Sequence, residues 1–167
     1  MRSAAPDPVF RPCDLAFSPL DERTLDRLGG LEILQAQLAG EQSRPPIDRL
    51  TGIRLVDASD GQVVFSLPAH GWLLQEIGTV FGGMIALLAK SATAGAVQAA
   101  ASAGTRFAAL DLKVNFLRAV EADGTELVAE GKVVHRGRRL VIANTEVTHG
   151  GRTVAIATGT TALEHRQ

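Results

Sequence analysis

The chain has 167 residues, with 17 lysines and arginines against 18 aspartates and glutamates, for a formal net charge of −1. That length suits one domain with a proper core, and a near-neutral balance without blocks of like charge argues against a nucleic-acid partner or a polybasic membrane anchor. A single cysteine, Cys13, leaves no internal disulfide and no thiolate cluster for a metal, which fits a reducing cytoplasm.

The opening stretch, MRSAAPDPVFRP, breaks any apolar leader with prolines and an aspartate, so no export signal is expected. Residues 1–22 have no hydrophobic period and read as an extended or partly disordered arm, with a single domain over 23–167. From Arg23 to Gly40, leucines 25, 28, 31, 34 and 38 recur at helical spacing, which predicts one amphipathic helix across the Gly29-Gly30 pair and ended by SRPP. TGIRLVDAS and GQVVFSLPA then read as a hairpin turned at Ser59-Asp60-Gly61, with Val63, Phe65 and Leu67 on one face.

A long apolar run follows the paired glycines of GTVFGGMIALLAKSATAGAV, predicting a helix from about Gly82 to Ala101 that is too uniformly apolar for a surface helix. Lys90, Ser91 and Gln98 interrupt the run, so it is not a transmembrane span, and Lys90 is expected to lie buried or nearly so. Four further strands are expected beyond Gly104, with turns at Asp123-Gly124, Gly137 and Gly150-Gly151. In the first of them Leu110, Leu112, Val114 and Phe116 alternate with polar residues. The order of elements implies an α+β domain in which an antiparallel sheet of about six strands curls around one long helix.

From about Leu28 onward the sequence resembles the hotdog-fold thioesterases of the phenylacetate-pathway (PaaI-like) type. The likeness rests on GLEILQAQLAGEQSRPP, GTVFGGMIALLAKSATAGAV, LKVNFLRAV, HRGRRLVIANTEV and GRTVAIATGTTAL. It implies a sheet wrapped around a central helix, hydrolysis of an acyl-coenzyme A thioester, and a site shared between two chains of a dimer or tetramer. Coenzyme A enters as part of the substrate, and no separate cofactor is implied. In such proteins His-Gly-Gly precedes the helix, a backbone N–H there polarises the thioester carbonyl, an Asp or Glu in the helix attacks or activates water, and an upstream Asn or Gln positions the thioester or water.

Gln75 fills the upstream amide position and Gly82 and Gly83 match the paired glycines, whereas Phe81 stands at the histidine and Lys90 at the carboxylate. Helix N-terminal N–H groups receive a developing oxyanion whatever the family. Gly82 and Gly83 alternatively serve only a tight helix entry, and Gln75 only local backbone. Lys90 has three readings: pairing with a carboxylate such as Glu76, Asp111 or one of a second subunit; holding an acyl carboxylate or oxyanion; or acting, desolvated, as base or nucleophile.

The resemblance places Arg136, Arg138 and Arg139 near the nucleotide phosphates of coenzyme A, and Asn115, Leu117 and Arg118 along its pantetheine arm; solvated hairpin cations are the alternative. His149-Gly150-Gly151 lies between two strands and is a hairpin, not a second helix entry. The four histidines lack ligand spacing, so no metal site is expected. The replacements at Phe81 and Lys90 keep a second class of function open: a catalytically silent binder of acyl-coenzyme A, or an oligomeric scaffold.

Overall fold

The computed structural model describes residues 19–165; residues 1–18 of the expected arm lie outside them. Three short helices, α1 (Glu22–Arg27), α2 (Gly30–Leu38) and α3 (Pro46–Thr51), precede strands β1 (Arg54–Ser59) and β2 (Gln62–Pro68). A single 3-10 turn at Gly71–Leu73 leads into the long helix α4 (Gly82–Ala99). Strands β3 (Thr105–Phe116), β4 (Glu126–Arg136), β5 (Leu140–His149) and β6 (Arg152–His165) follow. All six strands form one antiparallel sheet in the order β1-β2-β4-β5-β6-β3.

The helix expected from Arg23 to Gly40 is divided at its glycine pair. Leu28 is extended, and the Gly29 N–H donates to the Glu32 carboxylate at 2.7 Å, starting α2 anew. Gly30 lies against α4 so closely that a β-carbon there would sit 1.8 Å from the Gln98 carbonyl oxygen. The SRPP stretch does not simply end a helix: Pro46 occupies the first position of α3, where a missing N–H costs nothing, and Gly52 closes α3 at φ 85°.

The apolar face of the sheet meets α4. Ile85, Leu88, Ala89, Ala92 and Ala96 are buried against Phe65 and Leu67 of β2, Leu127 and Ala129 of β4, and Val141 and Val147 of β5. Close approach depends on Gly131, where a β-carbon would meet the Ala92 carbonyl oxygen at 2.2 Å. The expected inward residues of β2, Val63, Phe65 and Leu67, are all buried, and Ser66 between them is buried as well. In β3, Leu112 and Val114 are half-buried, but Leu110 is displaced by a bulge between Ala109 and Asp111 and is exposed. No helix among the described residues is long and apolar enough to cross a membrane.

Candidate functional site

Phe81 caps α4. Its N–H donates to the Leu73 carbonyl at 2.8 Å and its carbonyl accepts from the Met84 N–H at 2.9 Å. The N–H groups of Gly82 and Gly83 have no hydrogen-bond partner among the described residues, as geometry requires of the first turn of a helix without a side-chain cap. They stand at the positive end of an 18-residue helix. Two aromatic rings bracket them: a β-carbon on Gly83 would fall 2.3 Å from the Phe81 ring, and one on Gly82 would fall 3.5 Å from the Phe116 ring. Gly83 is exposed and Gly82 half-buried, so these donors face open space in the single chain.

Gln75 belongs to the turn just before α4. Its N–H donates to the Thr79 carbonyl, its own carbonyl accepts from the Gly78 N–H, and its side-chain Nε2 donates to the Thr79 hydroxyl at 2.8 Å. The amide nitrogen is therefore engaged locally, which leaves Oε1 as the acceptor the side chain has to offer. Trp72, Leu74, Gln75, Phe81 and Met84 line a groove of about 390 Å³ beside the helix start. The apolar wall formed by Trp72, Leu74 and Met84 was not foreseen; its signal in the sequence is only the run of large apolar residues before the glycines.

Lys90 is exposed rather than buried. Seven residues separate it from Gly83, close to two helical turns, so both lie on the open stripe of α4, about 10 Å apart along the axis. Neither Glu76 nor Asp111 pairs with it; the Asp111 carboxylate accepts from the Thr160 N–H at 3.0 Å. No described carboxylate forms an ion pair with Lys90; its charge is felt weakly at Asp48 of α3. Burial pushes the Asp48 carboxyl above its ordinary value, and the charges of Arg44 and then Lys90 pull it back in part.

The remaining candidates spread further. Asn115 lines a different hollow of about 510 Å³, on the sheet among Glu130, Lys132 and Asn144. Leu117 is exposed and its N–H donates to the Val154 carbonyl at 2.8 Å, while the Arg118 guanidinium donates to the Thr153 carbonyl. Arg136 forms an ion pair with Asp60 at 2.7 Å, and Arg138 and Arg139 are exposed in the turn that follows. That turn borders Ala100 and Ala101, at the far end of α4 from the glycines. Within one chain α4 separates the arginines from Gly82 by about 25 Å. Among the described residues no three histidine, cysteine, aspartate or glutamate side chains converge as metal donors.

The model of the thioesterase superfamily matches residues 77–156, the span from the Gln75 turn into the first part of β6. A conserved protein from Pseudomonas aeruginosa is 31% identical with a TM-score of 0.69, the match covering 75% of this chain and 99% of that one. A mutant of the phenylacetic acid degradation protein PaaI from Thermus thermophilus is 27% identical over 71% of this chain and 98% of that one, with a TM-score of 0.66. A phenylacetic acid degradation-related protein from Ralstonia eutropha is 26% identical over 77% and 98%, at 0.71. No curated protein sequence matches the chain. With its six-stranded sheet on one long helix and these relatives, the chain belongs to the thioesterase superfamily, as a hotdog-fold member of the PaaI-like type.

Proposed function

We propose that the protein hydrolyses an acyl-coenzyme A thioester in a cleft between two copies of the chain. The observation that carries this reading is the pair of unpartnered N–H groups at Gly82 and Gly83, open at the start of α4. A thioester carbonyl oxygen placed there accepts hydrogen bonds that strengthen as negative charge develops on it. Phe81 and Phe116 flank the carbonyl and exclude water from the acyl side, and Gln75 orients the thioester or the attacking water through Oε1.

The edge strand β3 supplies the reason for two chains. Pairing two β3 edges antiparallel about a two-fold axis completes the hydrogen bonding of both. The partner's strand then runs in reverse, so its Thr105 end, with the partner subunit's Arg138 and Arg139 on the same side of its sheet, is directed toward the Phe116 end of this chain. Arginine forks are well matched to the phosphates of coenzyme A. Assembly of two such dimers into a tetramer is compatible with this arrangement.

A silent acyl-coenzyme A binder is the second reading, favoured by Lys90 where the resemblance calls for a carboxylate. Free-thiol release from short, medium and aromatic acyl-coenzyme A esters separates the two. The hydrolase reading expects turnover of at least one ester. Absence of turnover, together with a melting temperature raised by coenzyme A derivatives, establishes the binder instead.

A further inference from the structure

Lys90 is the only charged residue in the 18 residues of α4. The open stripe of the helix runs through Gly83, Ala86, Leu87, Lys90 and Ala94; Gly83 and Lys90 are exposed and the other three half-buried. A helix stripe that faces bulk water ordinarily carries several charges, whereas this one is apolar apart from a single cation. No described carboxylate forms an ion pair with that cation. The fold therefore holds an ammonium group on an apolar track that leads to the helix start, and no ion pair within the described chain uses it.

Seven residues turn a helix through nearly two full turns, so Lys90 is aligned with Gly83 about 10 Å along the axis. Side chains lean toward the N-terminus of their helix, which carries the four-carbon stem of Lys90 back toward the glycines. The lean brings the ammonium to about 8 Å from a carbonyl carbon received at Gly82–Gly83. A charge-assisted hydrogen bond of about 2.8 Å takes up part of that span, and the rest is the length of an extended chain of about five carbons. Leu87 lies between the two ends and packs on the apolar core, so it offers methylene groups a dry floor. The neighbouring groove of Trp72, Leu74 and Met84 is also lined by Glu76, whose charge disfavours a second carboxylate there.

We propose that the acyl group taken by this site ends in a carboxylate, as the half-thioester of a dicarboxylic acid of about five carbons, and that Lys90 selects it. The inference rests on the hydrolase reading above, which puts the thioester carbonyl at Gly82–Gly83, and adds which acyl group is chosen. Lys90 touches the far end of the acyl group and takes no part in the bonds that form and break. Holding both ends of the acyl chain keeps the carbonyl on its donors. A lysine at the position where the resemblance calls for a carboxylate attracts a group that Asp or Glu would repel.

The test compares thiol release by the full chain from glutaryl-coenzyme A and pentanoyl-coenzyme A, which share a carbon count and differ in the terminal carboxylate. The ratio of their kcat/KM values is expected to favour glutaryl by about tenfold in the native chain. Lys90→Met is expected to bring the ratio to one or below, Lys90→Arg to keep most of it, and Lys90→Glu to invert it. Lys132→Met removes a cation of equal charge from the other face of the sheet, since Lys132 follows Gly131, which faces α4; it is expected to leave the ratio in place. A native ratio at or below one overturns the inference, as does a preference that survives Lys90→Met or is lost equally in Lys132→Met, and each of these leaves the hydrolase reading standing. No thiol release from any ester overturns the hydrolase reading instead, and melting then decides the inference. A larger rise in Tm with glutaryl-coenzyme A than with pentanoyl-coenzyme A, lost in Lys90→Met, supports it, and equal rises overturn it.

Discussion

Phe81 and Gly83 are one unit at the level of single residues. The Phe81 ring occupies the space that a β-carbon on Gly83 would need, since the two would be 2.3 Å apart. Because the clash is with a side chain, Gly83→Ala is expected to fold with the ring swung away, opening the proposed carbonyl site to water and lowering thiol release about tenfold. The single variant Phe81→Ala separates ring displacement from any change in the N–H donors: a similar loss with Gly83 intact assigns the effect to the ring. Asp48 carries an opposite signature, in stability. Its folded value is raised above the ordinary 3.8 by burial, so its contribution is intact below that value and is lost as pH rises through the folded one. Asp48→Asn is therefore expected to melt above the native chain at neutral pH, with the gap closing in acid. Melting curves across pH measure it. That the glycine pair opens α4, with Gln75 in the turn before it, was legible in the sequence because that placement is local to one turn and one helix start. The burial of Asp48 was not, since it arises from packing between segments far apart in the chain.

Among the elements, alternation and turn residues carried most of the information. β2 shows it in Val63, Phe65 and Leu67, and the β5–β6 turn in Gly150 and Gly151 at φ 55° and 73°. The helices were harder to read. A continuous leucine period did not reveal that Gly29-Gly30 breaks it, because the break is set by contact with the Gln98 carbonyl of α4. Six residues of α3 are too few to display a period at all. Strand order was equally hidden: β3 follows α4 in sequence yet pairs with β6 at the sheet's far edge. What seats α4 on that sheet is backbone proximity at Gly131. A β-carbon there would meet the Ala92 carbonyl oxygen at 2.2 Å, and a helix backbone has little freedom to yield. Gly131→Ala is expected to destabilise the fold by about 2–3 kcal/mol, through displacement of α4 rather than loss of any contact. Urea unfolding quantifies it, with a lowered midpoint at an unchanged slope.

For the whole molecule, the two edges of the sheet are unlike. β1 is a strand of six residues, bulged between Leu55 and Asp57 and bearing Arg54, which pairs with Glu126; α2 also packs against it. Such an edge resists further pairing. β3 has 12 residues, with Phe107, Leu110 and Phe116 exposed along it. An open edge of that length with apolar side chains is a template for a second strand, and a second copy of β3 is self-complementary about a two-fold. On the proposed reading, the same pairing unites groups that one chain keeps at opposite ends of α4, so assembly and chemistry are expected to fail together. Phe107→Lys/Leu110→Lys places like charges on the facing edges while leaving the core of each chain untouched. Light scattering behind a sizing column is expected to show the mass of the native assembly falling to that of one chain, with the far-ultraviolet spectrum retained and thiol release abolished. A variant that is monomeric yet hydrolyses at the native rate would place the complete site within a single chain, and the role given to β3 would be lost.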